Sequence, residues 1–206
     1  MSGAHKLKEN DFITLELDST NAAELLFFSD KCQTYKSRAS EFEDSKTSLL
    51  GDYVPTKLGF DQGENSVYMA VTTDYKGYML FFFENGKVAK VDMESYATKT
   101  NRKKLINAYS DKSPLVAAYY ITDDTEFVIK STSGRLLLFN SGAIASKTTK
   151  NTQGVAVMTL KKGHRVASVV HFKEDMFIKP QRYRTKTLPS AGATLSADDA
   201  GEQLTF

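Results

Sequence analysis

Tryptophan is absent from the 206 residues, and Cys32 is the only cysteine, so no disulfide can form within the chain. A lone thiol fits a reducing compartment such as the cytoplasm. His5, His164 and His171 are scattered and lack the spacing of metal ligands. No apolar run approaches the roughly 18–20 residues that span a bilayer. The opening Met-Ser-Gly-Ala-His-Lys-Leu-Lys-Glu-Asn-Asp holds no apolar stretch of the signal-peptide kind. Residues 1–10 are expected to be a flexible N-terminus or a cloning scar. Catalytic signatures are missing too: there is no glycine-rich phosphate loop, no Gly-x-Ser-x-Gly and no paired cysteines. Asp123-Asp124 falls at an expected turn and reads as solvated. Cys32 has no histidine partner that the sequence can name and reads as a structural thiol.

Acid is missing over one long stretch. Between Glu126 and Glu174 there is none, while Lys130, Arg135, Lys147, Lys150, Lys161, Lys162, Arg165 and Lys173 fall inside it. The net charge of +2 therefore hides a division. Residues 1–73 carry twelve acids and seven bases, and the remainder thirteen acids and twenty bases. A one-sign stretch of that length suggests a polyanionic partner, whereas any single lysine in it reads equally well as a solvated side chain.

What the chain has in quantity is β-hairpin sequence. Leu-Leu-Phe-Phe-Ser-Asp-Lys-Cys-Gln-Thr-Tyr-Lys at 25–36 returns as Met-Leu-Phe-Phe-Phe-Glu-Asn-Gly-Lys-Val-Ala-Lys at 79–90. It returns again as Glu-Phe-Val-Ile-Lys-Ser-Thr-Ser-Gly-Arg-Leu-Leu-Leu-Phe at 126–139. Aligned on the turn, Cys32, Gly86 and Gly134 stand 54 and 48 residues apart. A period near 50 built from strands points to a propeller-like array. Asn85-Gly86 suits a type I′ turn, Ser133-Gly134 is a weaker version, and the glycine-free Asp30-Lys31-Cys32 is expected to be longer or bulged. Further strands are expected at Phe12–Leu17, Ser66–Thr72, Leu115–Ile121, Gly154–Leu160 and Val166–Val170. Long helices are absent, with at most a turn or two in Glu94–Ala108.

The fold class that follows is all-β, a propeller-like array of about four-stranded blades, open or incomplete because three blades are fewer than a usual ring. The blades are expected at about 11–73, 74–122 and 123–172 within an array spanning 11–172. Residues 173–206 form a closing segment and tail, flexible from Thr185 because its apolar content is sparse. Basic residues recur at equivalent places: Lys36, Lys87 with Lys90, and Arg135 follow the turns. Arg38 and Lys46, then Lys99, Arg102, Lys103 and Lys104, then Lys147, Lys150, Lys161, Lys162 and Arg165 fill the connectors. A repeat that places connectors at equal heights on a rim makes them a band able to contact successive phosphates of a bent duplex. The residues expected to bind DNA are Lys87, Lys90, Lys99, Arg102, Lys103, Lys104, Arg135, Lys147, Lys150, Lys161, Lys162 and Arg165. No catalytic or metal-ligating residue is expected.

The hairpin Leu80-Phe81-Phe82-Phe83-Glu84-Asn85-Gly86-Lys87-Val88 and its variant Ser133–Phe139, followed by the connector Lys147–Met158, resemble the C-terminal β-pinwheel domain of type IIA DNA topoisomerase A subunits, those of gyrase and topoisomerase IV. The resemblance covers about 11–172. It implies a non-catalytic domain that holds and bends duplex DNA, largely without sequence preference, for strand passage. Its implied partners are the A subunit's catalytic core and the ATPase B subunit, in the cytoplasm and nucleoid. The fragment itself implies no cofactor, whereas the parent enzyme would use ATP and Mg²⁺. Gyrase's Gln-Arg-Arg-Gly-Gly-Lys-Gly box has no counterpart, and Gln181-Arg182-Tyr183-Arg184 does not match it. That departure favours a topoisomerase IV-like or divergent gyrase-like domain with weaker bending. A propeller-type protein-interaction module is the alternative, presenting Tyr75, Tyr78, Tyr109 and Tyr183. A propeller hydrolase lacks the repeated acidic position it needs.

Overall fold

The computed structural model of the protein describes residues 12–44, 46, 51–98 and 103–200. It is all-β, with three four-stranded antiparallel sheets. The chain forms two compact units, one from 1–75 with 98–108 and one from 76–97 with 109–206.

Unit 1 holds the first hairpin, β1 (Glu24–Ser29) and β2 (Thr34–Arg38), flanked by β3 (Ser66–Thr72) and β6 (Lys104–Leu105) in the order β3-β1-β2-β6. Strand alternation sends Leu25, Phe27 and Tyr35 to one face, where Phe42, Phe60, Met69 and Val71 cover them. Val54 and Leu58 of the short helix α1 (Val54–Leu58) join that cover. Tyr35 stacks on Phe60 with ring centroids 4.2 Å apart. The buried Glu64 ties the loop to the hairpin, accepting from Ser29 Oγ, from Tyr35 Oη at 2.7 Å and from the Asp61 N–H at 2.8 Å.

Unit 2 holds two sheets. The first is β10-β5-β4-β7, from β4 (Tyr78–Phe83), β5 (Lys87–Asp92), β7 (Leu115–Ile121) and β10 (Val155–Ala156). The second is β11-β8-β9-β12, from β8 (Glu126–Ser131), β9 (Arg135–Asn140), β11 (Val166–His171) and β12 (Ala193–Thr194). Leu80, Phe82, Val88, Phe127, Ile129, Leu137 and Phe139 form one buried cluster. Burying such a side chain contributes roughly 1.5–3 kcal/mol. A second cluster of Val128, Leu136, Leu138, Phe177 and Tyr183 closes the other side of β8 and β9.

The fourth strands arrive out of order. β10 follows the β8–β9 hairpin in sequence yet pairs with β5, Val155 opposite Val88. β6 likewise follows β5 yet pairs with β2, Leu105 opposite Thr34. The sequence blocks 11–73, 74–122 and 123–172 thus each supply three strands of one sheet, and the fourth comes from the block that follows. At Gly154, which enters β10 with φ +73°, a Cβ would stand 2.2 Å from Val88 O. Gly192 ahead of β12 repeats this against Leu136 O at 2.4 Å. In unit 2 the donated strands β10 and β12 reach their sheets through a glycine because no side chain fits between the two backbones.

Several expectations are corrected. All three hairpin loops close alike, by N–H bonds from Cys32, Gly86 and Gly134 to Ser29 O, Phe83 O and Ser131 O. Only that third loop residue has positive φ, at +55°, +80° and +73°. This is a turn followed by one left-handed bulge residue, not the type I′ turn expected at Asn85-Gly86, whereas the bulge expected at the glycine-free turn is present and shared by the other two. Phe12–Leu17 forms no strand, and its Ile13, Leu15 and Leu17 are exposed. Of Gly154–Leu160 only two residues pair as strand. The chain beyond Thr185 is not a bare tail as far as residue 200. Arg135 holds the carbonyls of Ala191 and Gly192, and the Tyr183 hydroxyl and Ser196 Oγ both donate to Asp199. Polar contacts replace the apolar ones whose scarcity suggested flexibility. The readings for 1–10 and 201–206 lie outside the described residues.

Candidate nucleic-acid interface

The expected DNA-binding residues separate into three groups. Lys90 is the most enclosed of them. It is buried on β5, its ammonium 2.6 Å from Asp124 Oδ1 and 4.3 Å above the centre of the Tyr78 ring. The corresponding Lys36 in unit 1 lies 3.3 Å from Glu24 and 4.9 Å from the Tyr75 ring centre. Their cross-strand partners show the equivalence: Leu26 faces Lys36, Leu80 faces Lys90 and Val128 faces Leu138. In the third sheet, where Leu138 fills that place, the cation comes from Arg184. Its guanidinium binds both oxygens of Glu126 at 2.7 and 2.8 Å and sits over Phe172. A cation set between a ring and a carboxylate recurs in every sheet and serves the fold. Sequence reading missed Arg184, although the leucine in the third repeat signals that the cation must come from elsewhere.

A second group is exposed or half-exposed but engaged. Lys103 lies 3.3 Å from Glu41, and Lys104 binds Asp61 at 2.9 Å over the Tyr35 ring. The hydrogen bonds that the Lys104 ammonium donates to Asp61 and Tyr35 raise its pKa above the ordinary value. Arg135 Nε and Nη2 donate to the Ala191 and Gly192 carbonyls at 2.8 and 2.6 Å, which anchors β12 rather than freeing the guanidinium. Lys87 reaches Gln153 Oε1 at 3.3 Å, and Arg165 lies 3.4 Å from Glu84, a surface pair worth little in water.

The third group is available. Lys147, Lys161 and Lys162 are exposed, Lys150 is half-exposed, and none has a side-chain hydrogen bond or ion pair among the described residues. Lys99 and Arg102 lie outside the described residues. The tyrosines that a protein-docking face would need are otherwise employed. Tyr109 and Tyr183 are buried, while Tyr75 and Tyr78 lie under Lys36 and Lys90. No group of His, Cys, Asp or Glu suited to a metal occurs among the described residues, and no helix among them is long and apolar enough to cross a membrane.

No family model matches the chain. Among curated proteins it is 23% identical over 181 residues to the gyrase A protein of Streptomyces coelicolor, and 21% over 169 residues to that of Escherichia coli. These matches cover 84% and 81% of this chain but 21% and 19% of the relatives, so the chain spans about a fifth of their length. Among solved structures, the C-terminal domain of DNA topoisomerase IV aligns with a TM-score of 0.71 at 22% identity, covering 84% of this chain and 54% of that one. The fold is that of a type IIA topoisomerase C-terminal domain. The DNA gyrase A C-terminal domain gives 0.61 at 18% identity, and the E. coli ParC C-terminal domain 0.64 at 10%. They cover 92% and 87% of this chain, and 66% and 79% of theirs. The β-pinwheel class read from three hairpins is thereby borne out.

Two outcomes follow for this pinwheel's buried cations. Lys90→Met should lower stability by about 1–2 kcal/mol. That is less than the roughly 3–5 kcal/mol lost when a fully buried charge is orphaned, because Asp124 keeps access to water. Chemical denaturation measures that loss, and a DNA titration should show affinity within twofold of wild type. A large affinity loss at unchanged stability would return Lys90 to the interface.

Acid should act through three carboxylates. Burial alone would push Glu24 up, but hydrogen bonds from Tyr75 and Lys36 hold it below its ordinary value. Asp124 is lowered likewise by Lys90 and Ser141 against its burial, and Asp199 by Ser196, Tyr183 and the Ile178 N–H. A carboxylate with a lower pKa folded than unfolded adds stability above its unfolded value and loses it as pH falls through its folded value. Stability should hold from neutrality to about pH 5 and fall below about pH 4. Urea midpoints against pH measure this, and Glu24→Gln should shrink the acid-side loss. A midpoint unchanged down to about pH 3 would contradict it.

Proposed function

We propose that the chain is a DNA-binding and DNA-bending domain of a bacterial type IIA topoisomerase, of gyrase A or topoisomerase IV A parentage. It is non-catalytic in itself. The strand-cleaving tyrosine and the ATP- and Mg²⁺-dependent steps would belong to other parts of the parent, the A-subunit core and the ATPase subunit. The place of action is the cytoplasm, on the nucleoid. The observation that carries the reading is the set Lys147, Lys150, Lys161 and Lys162, four lysines without side-chain partners among the described residues, in a stretch free of acid. An unpaired ammonium gains most by displacing the counterions of a phosphate backbone. Contacts of that kind position a duplex without reading its bases, so little sequence preference is expected. A gel-shift titration of mixed-sequence duplexes at low salt tests this. Comparable binding of unrelated sequences supports it, and no shift by the wild-type protein overturns it.

A further inference from the structure

The strands of unit 2 run between two ends of opposite charge. The hairpin loops 84–86 and 132–134 mark one end. The starts of β7 and β11 lie beside them, Leu115 opposite Phe83 and Val166 opposite Ser131. Lys87, Lys130, Lys161, Lys162 and Arg165 gather at this turn end, against Glu84 and the exposed Asp111–Lys112 pair. The far end holds the close of β5, the 122–125 loop and the chain after β11. It collects Asp92, Glu94, Asp123, Asp124, Glu174 and Asp175, with Lys76, Lys147 and Lys173 among them. Lys90 and Arg184 are also there but are spent on Asp124 and Glu126.

We propose that unit 2 meets duplex DNA chiefly by its turn end, with the turn Lys161–Arg165 as the principal phosphate contact and the acids of the far end facing away. The inference rests on the DNA-binding reading above and fixes the surface through which it acts. The turn stands on a fixed base. The His164 N–H bonds to Lys161 O at 3.0 Å across Gly163, whose φ is +81°. The Arg165 N–H bonds to Thr132 Oγ1 at 3.1 Å, and the Thr132 N–H to Arg165 O at 2.8 Å. Thr132 Oγ1 also lies 3.1 Å from His164 Nδ1. The neighbouring hairpin loop thereby holds the backbone, while the two ammonium groups project unpaired, so the backbone needs little ordering on binding.

Nothing in the packing asks for lysine here. Lys161 and Lys162 are exposed, and a Cβ on Gly163 would meet nothing within 4 Å. The chain entering β7, at the corresponding place in the other sheet of unit 2, carries Asp111 and Lys112 paired with each other instead of a basic run. A phosphate backbone complements the turn end, whereas like charge at the far end repels it and is screened only beyond about 8–10 Å.

The test is fluorescence anisotropy of a labelled mixed-sequence duplex of about 30 base pairs, titrated with the full chain across a salt series. K161E/K162E should weaken binding at least tenfold and reduce the slope of log K against log salt by about 2, since each phosphate contact contributes roughly 0.9. K76E/K173E, which reverses two exposed far-end charges, should leave affinity within twofold. All four positions are exposed, and thermal melts confirm folding. Equal losses from both ends, or a greater loss from K76E/K173E, overturn the proposal while leaving the DNA-binding reading standing. No binding by the wild type overturns both. Binding by wild type and K161E/K162E alike, with an acidic polypeptide competing it away only from the wild type, assigns the turn to an acidic protein and also overturns it.

Discussion

Phe82→Ala should cost unit 2 about 3–5 kcal/mol, the range for emptying a buried aromatic site. Phe82 is 1% exposed, and its ring lies 5.1 Å from Phe127, 6.2 Å from Phe139 and 6.0 Å from Tyr119. It stands on β4 but packs on β8 and β9, so its removal loosens both sheets of the unit at once. A loss of that size lowers the melting temperature by on the order of 10 °C. Neighbouring rings are held by strand backbones and cannot collapse fully into the space, which keeps the cost at the upper end. Phe82→Leu should recover more than half the loss. A melting temperature within about 2–3 °C of wild type for the alanine variant would show that the two sheets do not share one core.

Gly154→Ala should be nearly as damaging although it adds a single methyl group. The new Cβ would stand 2.2 Å from Val88 O and 2.4 Å from Val88 C, both backbone atoms that cannot swing aside. The left-handed φ of +73° adds roughly 1–3 kcal/mol for a non-glycine residue. Relief requires β10 to lift from β5, and the lost bonds would include those from the Val157 and Met158 N–H groups to Gly86 O, at 2.9 and 3.0 Å. Hydrogen exchange at Val157 and Met158 should therefore accelerate by at least tenfold, while Val128 and Leu137 in the adjacent sheet stay protected. Unchanged exchange at all four would refute the donated-strand pairing. Because Lys147, Lys150, Lys161 and Lys162 lie on the chain flanking β10, DNA affinity should fall as well.

How far the sequence carried depends on which interactions are local. The hairpins were legible because apolar alternation and the turn residue are both encoded within about a dozen positions. β3 and β7 fall on Ser66–Thr72 and Leu115–Ile121 as read. The two-residue strands β6, β10 and β12 have no periodicity to detect, and their partners lie far away in sequence. Phe12–Leu17 shows the converse: alternation makes a segment able to pair, but a strand also needs an edge to pair with. The turn chemistry at Asn85-Gly86 was misread because the dipeptide also suits a three-residue loop whose last member is left-handed. Among the basic residues, Lys90 and Lys147 look alike in sequence. The acid that claims Lys90 is Asp124, 34 positions away, and only the folded sheets bring them together.

That sorting of cations sharpens the functional reading. Of the residues expected to hold DNA, Lys90 and Arg135 stabilise the sheets, and Lys104 is matched by Asp61. What remains in unit 2 is a small set of lysines on the chain around β10 and on the turn before β11. On the DNA-binding reading, a set of this size should give moderate, strongly salt-dependent affinity.

The most direct measurement is the duplex affinity of the wild-type chain against salt, for two duplexes of unrelated sequence. The account predicts that log K falls with log salt at a slope of about −3 to −4, as expected for some four phosphate contacts. The two duplexes should bind within a few-fold of each other. Absence of binding at low salt, or an affinity indifferent to salt, would contradict it.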